Sequence, residues 1–258
     1  MKIFHSIRLV TVFLVSFAAL GLSSRAQAPG GAQTIFDSMI QALGGKAYLD
    51  VQEIQVNGRY FTFRRGAVSG SEVYADFIKF PDMERTEFGK EREKKIQINH
   101  GREGWNVTPP VKGKIPEVQP QTKAQTQEFL DAFKTSFDYV PRFIVNTPKT
   151  SLVNAGTDLV EYKRTDVLEV RDTQKNLMRI YVDRETHLPV KVQMRDADES
   201  LVKEEDYANW HKFDGVMTPL MVIRYKDGVK IQEIHADKVV YNPGFPDSLF
   251  APPVAPSK

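Results

Sequence analysis

Between Val51 and Tyr241 apolar and polar residues alternate in one short segment after another, and a single helical pattern interrupts them. Period-two alternation sends successive side chains to opposite faces of an extended chain, so each segment reads as a strand. A first series runs "VQEIQVNGRYFTFRR", "SEVYADFIKF", "MERTEFG", "EKKIQINHG" and "EGWNVTP", divided by Gly-, Asp- or Pro-containing turns. A second runs "DLVEYKRT", "NLMRIYVD", "LPVKVQMRD", "LVKEEDYANW", "VMTPLMVIRY" and "GVKIQEIHADKVVY", with Asp227-Gly228 as the strongest hairpin signal in the chain. The total is about eleven strands with no strand–helix alternation, which argues against a parallel α/β fold. The expectation is a mainly β (α+β) chain whose antiparallel meander is too long to stay flat and curls around its helices.

Two helices are expected. Ile35, Phe36, Met39, Ile40 and Leu43 form one apolar stripe that Gly44-Gly45 terminates. "AQTQEFLDAFKTSF" places Phe129, Leu130, Phe133 and Phe137 on one face before "DYVPRF" breaks the helix. Between the first strand series and this helix, residues 108–123 carry four prolines and no apolar period, and read as a loop or flap. The carboxy-terminal "YNPGFPDSLFAPP" alternates apolar side chains with prolines, so it is neither a helix nor a central strand. It reads as a pinned, extended wrap that lays Phe245, Leu249 and Phe250 over an end or edge left open by an incomplete sheet.

The first residues set the expected compartment. Lys2 and Arg8 precede an apolar run from Leu9 to Leu22 and the small-residue pattern Ala26-Gln27-Ala28, so residues 1–28 read as a secretory signal peptide cleaved after Ala28. Residues 29–258 are then one mature domain, expected to be soluble in the periplasm. The run is short for a membrane span, which disfavours an uncleaved anchor. The signal segment supplies Lys2, Arg8 and Arg25 out of 35 basic residues and none of the 33 acidic ones, which leaves a mature net charge of −1. The precursor's basic balance therefore gives no reason to expect nucleic-acid binding. The absence of cysteine excludes disulfides, thiolate catalysis and Cys-ligated metals.

Catalytic motifs are missing: no G-x-S-x-G, H-E-x-x-H, P-loop or dinucleotide fingerprint occurs. "GREGWN" sits in a hairpin turn and opens no helix. His235 and Asp237 are two apart on one strand, a spacing in which a carboxylate can orient an imidazole, although no third ligand or nucleophile lies near. Glu204 and Asp206 share a strand face, but the surrounding lysines favour an exposed surface over a glycosidase-type dyad. The acidic stretch within 195–206 lacks calcium-loop spacing and reads as a hairpin tip. No enzyme activity, metal or cofactor is expected.

The run "YVDRETHLPVKVQMRD", followed by "EEDYANWHKFDGVMTPLMVIRYKDGVKIQEIHADKVVYNPGFPDSLFAPP", resembles the LolA/LolB-like carriers of the bacterial envelope and their outer-membrane lipoprotein-sorting relatives. The amino-terminal "ALGGKAYLDVQEIQVNGRY" is similar to the openings of such proteins. The resemblance implies an incomplete antiparallel half-barrel whose mouth is covered by helices, with an apolar cavity that carries lipid acyl chains or lipoproteins. It also implies a sheet arginine that locks the lid helices, a role that neither Arg59 nor Arg64 matches residue by residue. On that fold the candidate cavity residues are Tyr60, Met178, Ile180, Val192 and Met194 from strands, closed by Phe129, Phe133 and Phe137. The expected function is a monomeric, non-enzymatic periplasmic carrier that exchanges cargo with envelope membrane proteins. A half-barrel sensor or regulator that binds a protein partner is the alternative, and a hydrolase with an unrecognised site is a third reading.

Overall fold

The computed structural model describes residues 31–90, 93–110, 116–195, 197 and 202–253. The expected signal peptide and the 195–206 hairpin tip therefore lie wholly or partly outside the described residues. Helix α1 (Ala32–Leu43) is followed by the single turn α2 (Lys46–Leu49), then β1 (Glu53–Arg64), β2 (Ala67–Lys79), β3 (Met83–Phe88), β4 (Lys95–His100), β5 (Glu103–Thr108) and β6 (Glu117–Pro120). Helix α3 (Lys123–Lys134) and a π-helical turn (Val140–Ile144) lead into β7 (Ser151–Val160), β8 (Lys163–Arg171), β9 (Leu177–Asp183), β10 (Pro189–Arg195), β11 (Val202–Phe213), β12 (Val216–Lys226) and β13 (Val229–Tyr241). Thirteen strands form one antiparallel sheet in the order β6-β5-β4-β3-β2-β1-β13-β12-β11-β10-β9-β8-β7. Every neighbour is also a sequence neighbour except at β1–β13, where the two strand series are joined.

Two strands exceed the expected eleven, for separate reasons. "DLVEYKRT" is not one strand, because it turns at Glu161 and Tyr162, whose φ values of 44° and 66° make a tight hairpin between β7 and β8. Neither residue is a usual left-handed turn former, so the sequence carries no turn signal there. The proline-rich 108–123 stretch contains β6, which pairs with β5 at the sheet edge, where a strand tolerates proline.

All five residues of the α1 stripe are buried. Gly44 ends the helix at φ 129°, and an added Cβ there would lie 2.5 Å from the Gly215 carbonyl oxygen, so only glycine lets the helix end dock on the β11–β12 turn. The helix lies over β7, β8 and β12, and closes a core with Leu168, Val170, Val182 and Val216. A capping box between Thr122 and Gln125 starts α3. The helix stops at Lys134, where the Thr135 and Ser136 hydroxyls donate back to the Asp131 and Phe133 carbonyls. Phe137 therefore sits in the connecting turn, still buried, and "DYVPRF" makes the π-helical turn instead of simply ending a helix.

The terminal wrap covers a face of the sheet, not an end or edge. Asn242, at φ 51°, accepts the Gln52 and Glu53 N–H groups, and Glu53 in turn accepts those of Gly244 and Phe245. Lys79 ties the wrap from the other side through the Phe245 carbonyl and the Asp247 carboxylate. A 3-10 turn (Asp247–Phe250) then drops Phe250 among Ile98 and Val107, with Phe77, Met83 and Trp105 around them. On β2, Phe77 alternates with Asp76 and Ile78, so this cluster lies on the convex face, opposite the interior. Phe250 is fully buried, and its replacement by alanine is expected to cost about 3–5 kcal/mol. Chemical denaturation of Phe250→Ala against the parent chain measures that cost.

Candidate functional site

On the concave side, a cavity of about 580 Å³ lies between the sheet around the β1–β13 joint and the cover formed by α3 and the turn after it. The period-two rule decides what faces it. Ile54, Val56 and Tyr60 come from β1, Tyr74, Asp76 and Ile78 from β2, Phe80 from the turn after it, and Glu84, Thr86 and Phe88 from β3. The opposite wall is β11 and β12, with Glu205, Tyr207, Val222 and Arg224, while Phe129 and Phe133 close the top from α3. Most of this surface is aliphatic or aromatic, and Tyr60 meets Phe88 edge-on at 5.4 Å.

A polar band crosses the apolar wall. Asp76 accepts a 2.9 Å hydrogen bond from the Thr86 hydroxyl, its cross-strand neighbour, and Glu84 lies on the diagonal from Asp76 on the same face. Burial pushes the Asp76 carboxyl up to about 6, against the opposing pull of Thr86 and Arg224. Glu84 is raised well above the ordinary carboxylate range, first by burial and then by the charge of Asp76. Two carboxyls that meet in a poorly solvated place each disfavour the other's ionisation. Facing it, Arg224 donates to Glu205 at 2.7 Å, and the Tyr207 hydroxyl donates to the same carboxylate.

A family model described as "Uncharacterized protein" matches residues 153–253, from β7 to the end of the wrap. No curated protein sequence matches the chain. Among solved structures, a DUF1329 family protein from Desulfovibrio piger is similar at 14% identity and a TM-score of 0.58, covering 85% of this chain and 97% of that one. A LolA superfamily protein from Nitrosomonas europaea aligns at 15% identity and 0.55, with 86% and 98% covered. An outer membrane lipoprotein-sorting protein domain from Vibrio parahaemolyticus aligns at 13% and 0.54, with 85% and 97% covered. The fold is LolA-like.

Within the LolA-like frame, Tyr60, Phe129, Phe133, Phe137 and Met194 line the cavity. Met178, Ile180 and Val192 lie elsewhere, in the packed core where α1 presses on the sheet, and none borders the cavity. Asp76, Glu84, Glu205 and Arg224 escaped the sequence reading. Their signal is one charged residue in an otherwise apolar strand face, as in Tyr74, Asp76, Ile78 and Phe80.

Arg59 and Arg64 are exposed, and neither lines the cavity that the cover closes, whereas Arg142 does. The Arg142 side chain is 1% exposed, stacks 3.8 Å over the Tyr48 ring, and donates to the Tyr48 carbonyl and the Asp138 carboxylate, which ties the π-helical turn to α2. His235 pairs with Glu233 at 2.5 Å and not with Asp237, because a bulge opposite Asn57/Gly58 leaves Asp237 as the extra residue, out of register. Glu204 and Asp206 are both tied to Lys191, at 2.9 and 3.7 Å. Among the described residues no group of three His, Asp or Glu side chains could hold a metal, and no helix is long and apolar enough to cross a membrane.

The raised carboxyls link stability to pH. A carboxyl whose folded pKa lies above its unfolded value favours the fold at low pH, and that contribution is lost as pH rises through the folded pKa, here about 6 for Asp76. The double variant Asp76→Asn, Glu84→Gln keeps the shapes and removes the charge. It is expected to be more stable than the parent by on the order of 1–3 kcal/mol at neutral pH, with the gap closing toward about pH 4.5. Thermal melts of both proteins across that range read the difference.

Proposed function

We propose that this protein is an envelope carrier that holds an acyl chain of a lipid or lipoprotein inside the LolA-like half-barrel. The observation that supports the reading is the cavity of about 580 Å³, which is walled mainly by aliphatic and aromatic side chains and falls in the usual size range of small-molecule pockets. Each buried CH₂ contributes about 0.8 kcal/mol, so a chain of about 16 carbons represents ~12 kcal/mol gross, enough to draw it from water and comparable with what a membrane offers. A shuttle needs that balance, since the cargo has to leave again for an acceptor. The signal-like residues 1–28 favour action in the periplasm, with membrane proteins or the membrane itself as donor and acceptor. The absence of a catalytic motif favours binding over chemistry.

The test is native mass spectrometry of the protein purified from bacterial periplasm, with lipid extraction of the same sample. About one acyl-bearing ligand per chain is expected. Filling the wall with Leu220→Trp and Val222→Trp, both cavity residues, is expected to lower occupancy about tenfold or more while the chain still melts cooperatively. If no ligand copurifies and fluorescent fatty-acid probes are not taken up, the carrier reading is wrong.

A further inference from the structure

Arg142, Lys203, Arg224 and Lys226 all line the cavity, and the two arginines are already committed. Arg224 is engaged by Glu205, and Arg142 by Asp138 and the Tyr48 ring. Among the described residues no salt bridge reaches Asp76 or Glu84; the charge of Arg224 acts on them only at longer range. A carboxyl pair in a largely apolar wall with no cation of its own is costly, and nothing in the packing of β2 and β3 requires it. The rings beside it matter equally. Tyr74 precedes Asp76 on the same strand face, opposite Phe88 in the register, and Tyr60 packs edge-on against both rings at 6.4 and 5.4 Å. Carboxylates with converging aromatic faces make up the chemistry that recognises ammonium groups.

Among the described residues, two further polar atoms in the wall have no hydrogen-bond partner. The Tyr48 hydroxyl and the Trp210 indole N–H both belong to cavity-lining residues and are buried without a hydrogen bond, and Tyr48 is only 3% exposed. Buried donors left open in this way are usually satisfied by something that occupies the site. An ester or amide linkage between a headgroup and an acyl chain carries acceptors suited to both.

We propose that the cavity selects amphiphiles with an ammonium headgroup, held between the Asp76–Glu84 pair and the Tyr60, Tyr74 and Phe88 rings. This rests on the acyl-binding reading and narrows it to one ligand class. An ammonium group pairs with the ionised carboxyl, so affinity falls as pH drops through about 6, the value to which Asp76 is raised. Thr86, Tyr74, Glu205, Tyr207, Arg224 and Asp138 are polar or ionisable groups around the pair, with Lys203, Glu204, Tyr225 and Lys226 elsewhere in the cavity lining; Glu205 and Asp138 are ion-paired with Arg224 and Arg142.

The test compares decyltrimethylammonium, decanol and decanoate as competitors of a fluorescent apolar probe, each below its micellar concentration. At neutral pH the ammonium compound is expected to bind about tenfold tighter than decanol, with decanoate weakest, and the preference shrinks below about pH 5.5. In the Asp76→Asn, Glu84→Gln double variant, checked for cooperative melting, the ratio of ammonium to decanol affinity is expected to fall to about one. Decanol and decanoate binding with no ammonium preference, or a preference that survives in the double variant, overturns the proposal and leaves the acyl-binding reading standing. If none of the three competes, both readings fall.

Discussion

The β1–β13 seam is the interaction on which everything else depends. Each strand series is a chain of local hairpins, and only this pairing, between strands about 180 residues apart in sequence, makes one sheet of thirteen strands from two. The seam is tight at one point. A Cβ at Gly58 would sit 2.1 Å from the His235 carbonyl oxygen, so the bulge that forms there admits glycine and no larger residue. The bulge increases local twist at the middle of a sheet too long to stay flat, and the curl that results creates a concave side. A late, long-range closure of this kind is slow to form and leaves strand edges exposed until it does.

The two halves solve the problem of covering that curved sheet differently. On the β7–β10 side α1 lies close against the concave face and fills it, which is why Met178, Ile180 and Val192 are core. On the β1–β3 side the cover is α3 and the turn after it, held by a cluster of Phe80, Phe133, Tyr139 and Phe143 and by the buried Arg142. That cover stands off the sheet and leaves the cavity. The same half is apolar on its convex face too, and the terminal wrap is the layer that buries it. The far half carries no such layer: ion pairs such as Arg184–Asp166 and Arg179–Glu169 sit beside a small apolar cluster of Val167, Tyr181 and Val190.

Much of this was legible in the sequence because alternation and turn chemistry are local. The α1 stripe, the Asp227-Gly228 hairpin and most strand segments follow from neighbours within a few residues. What failed was equally physical. Glu161-Tyr162 turns through left-handed angles that tertiary pairing imposes against local preference, and β6 is a strand only because β5 offers it an edge. The face of the sheet that each strand shows to the interior was readable, but how closely a helix would approach that face was not. Hence a single list of candidates mixed Tyr60 and Phe129, which border space, with Ile180 and Val192, which border atoms. The His235 partner was misassigned because a bulge shifts the parity of one residue, and a bulge has no reliable sequence mark when its glycine lies on the facing strand.

A cavity meant only for hydrocarbon would be better built without carboxyls. Two acids in its wall raise the cost of the folded state at neutral pH and lower the affinity for any purely apolar cargo, since their partial hydration must be given up when the chain enters. A filled core would have removed both penalties, as it does on the α1 side of the same sheet. A carboxyl pair on β2 and β3, next to rings and opposite an arginine already paired with Glu205, is consistent with a wall that distinguishes one end of an amphiphile from the other. Discrimination then costs some affinity, and for a carrier the loss is useful. A cargo held by the full hydrophobic term alone would have little reason to leave, whereas one seated against carboxyls is released more readily wherever they take up protons.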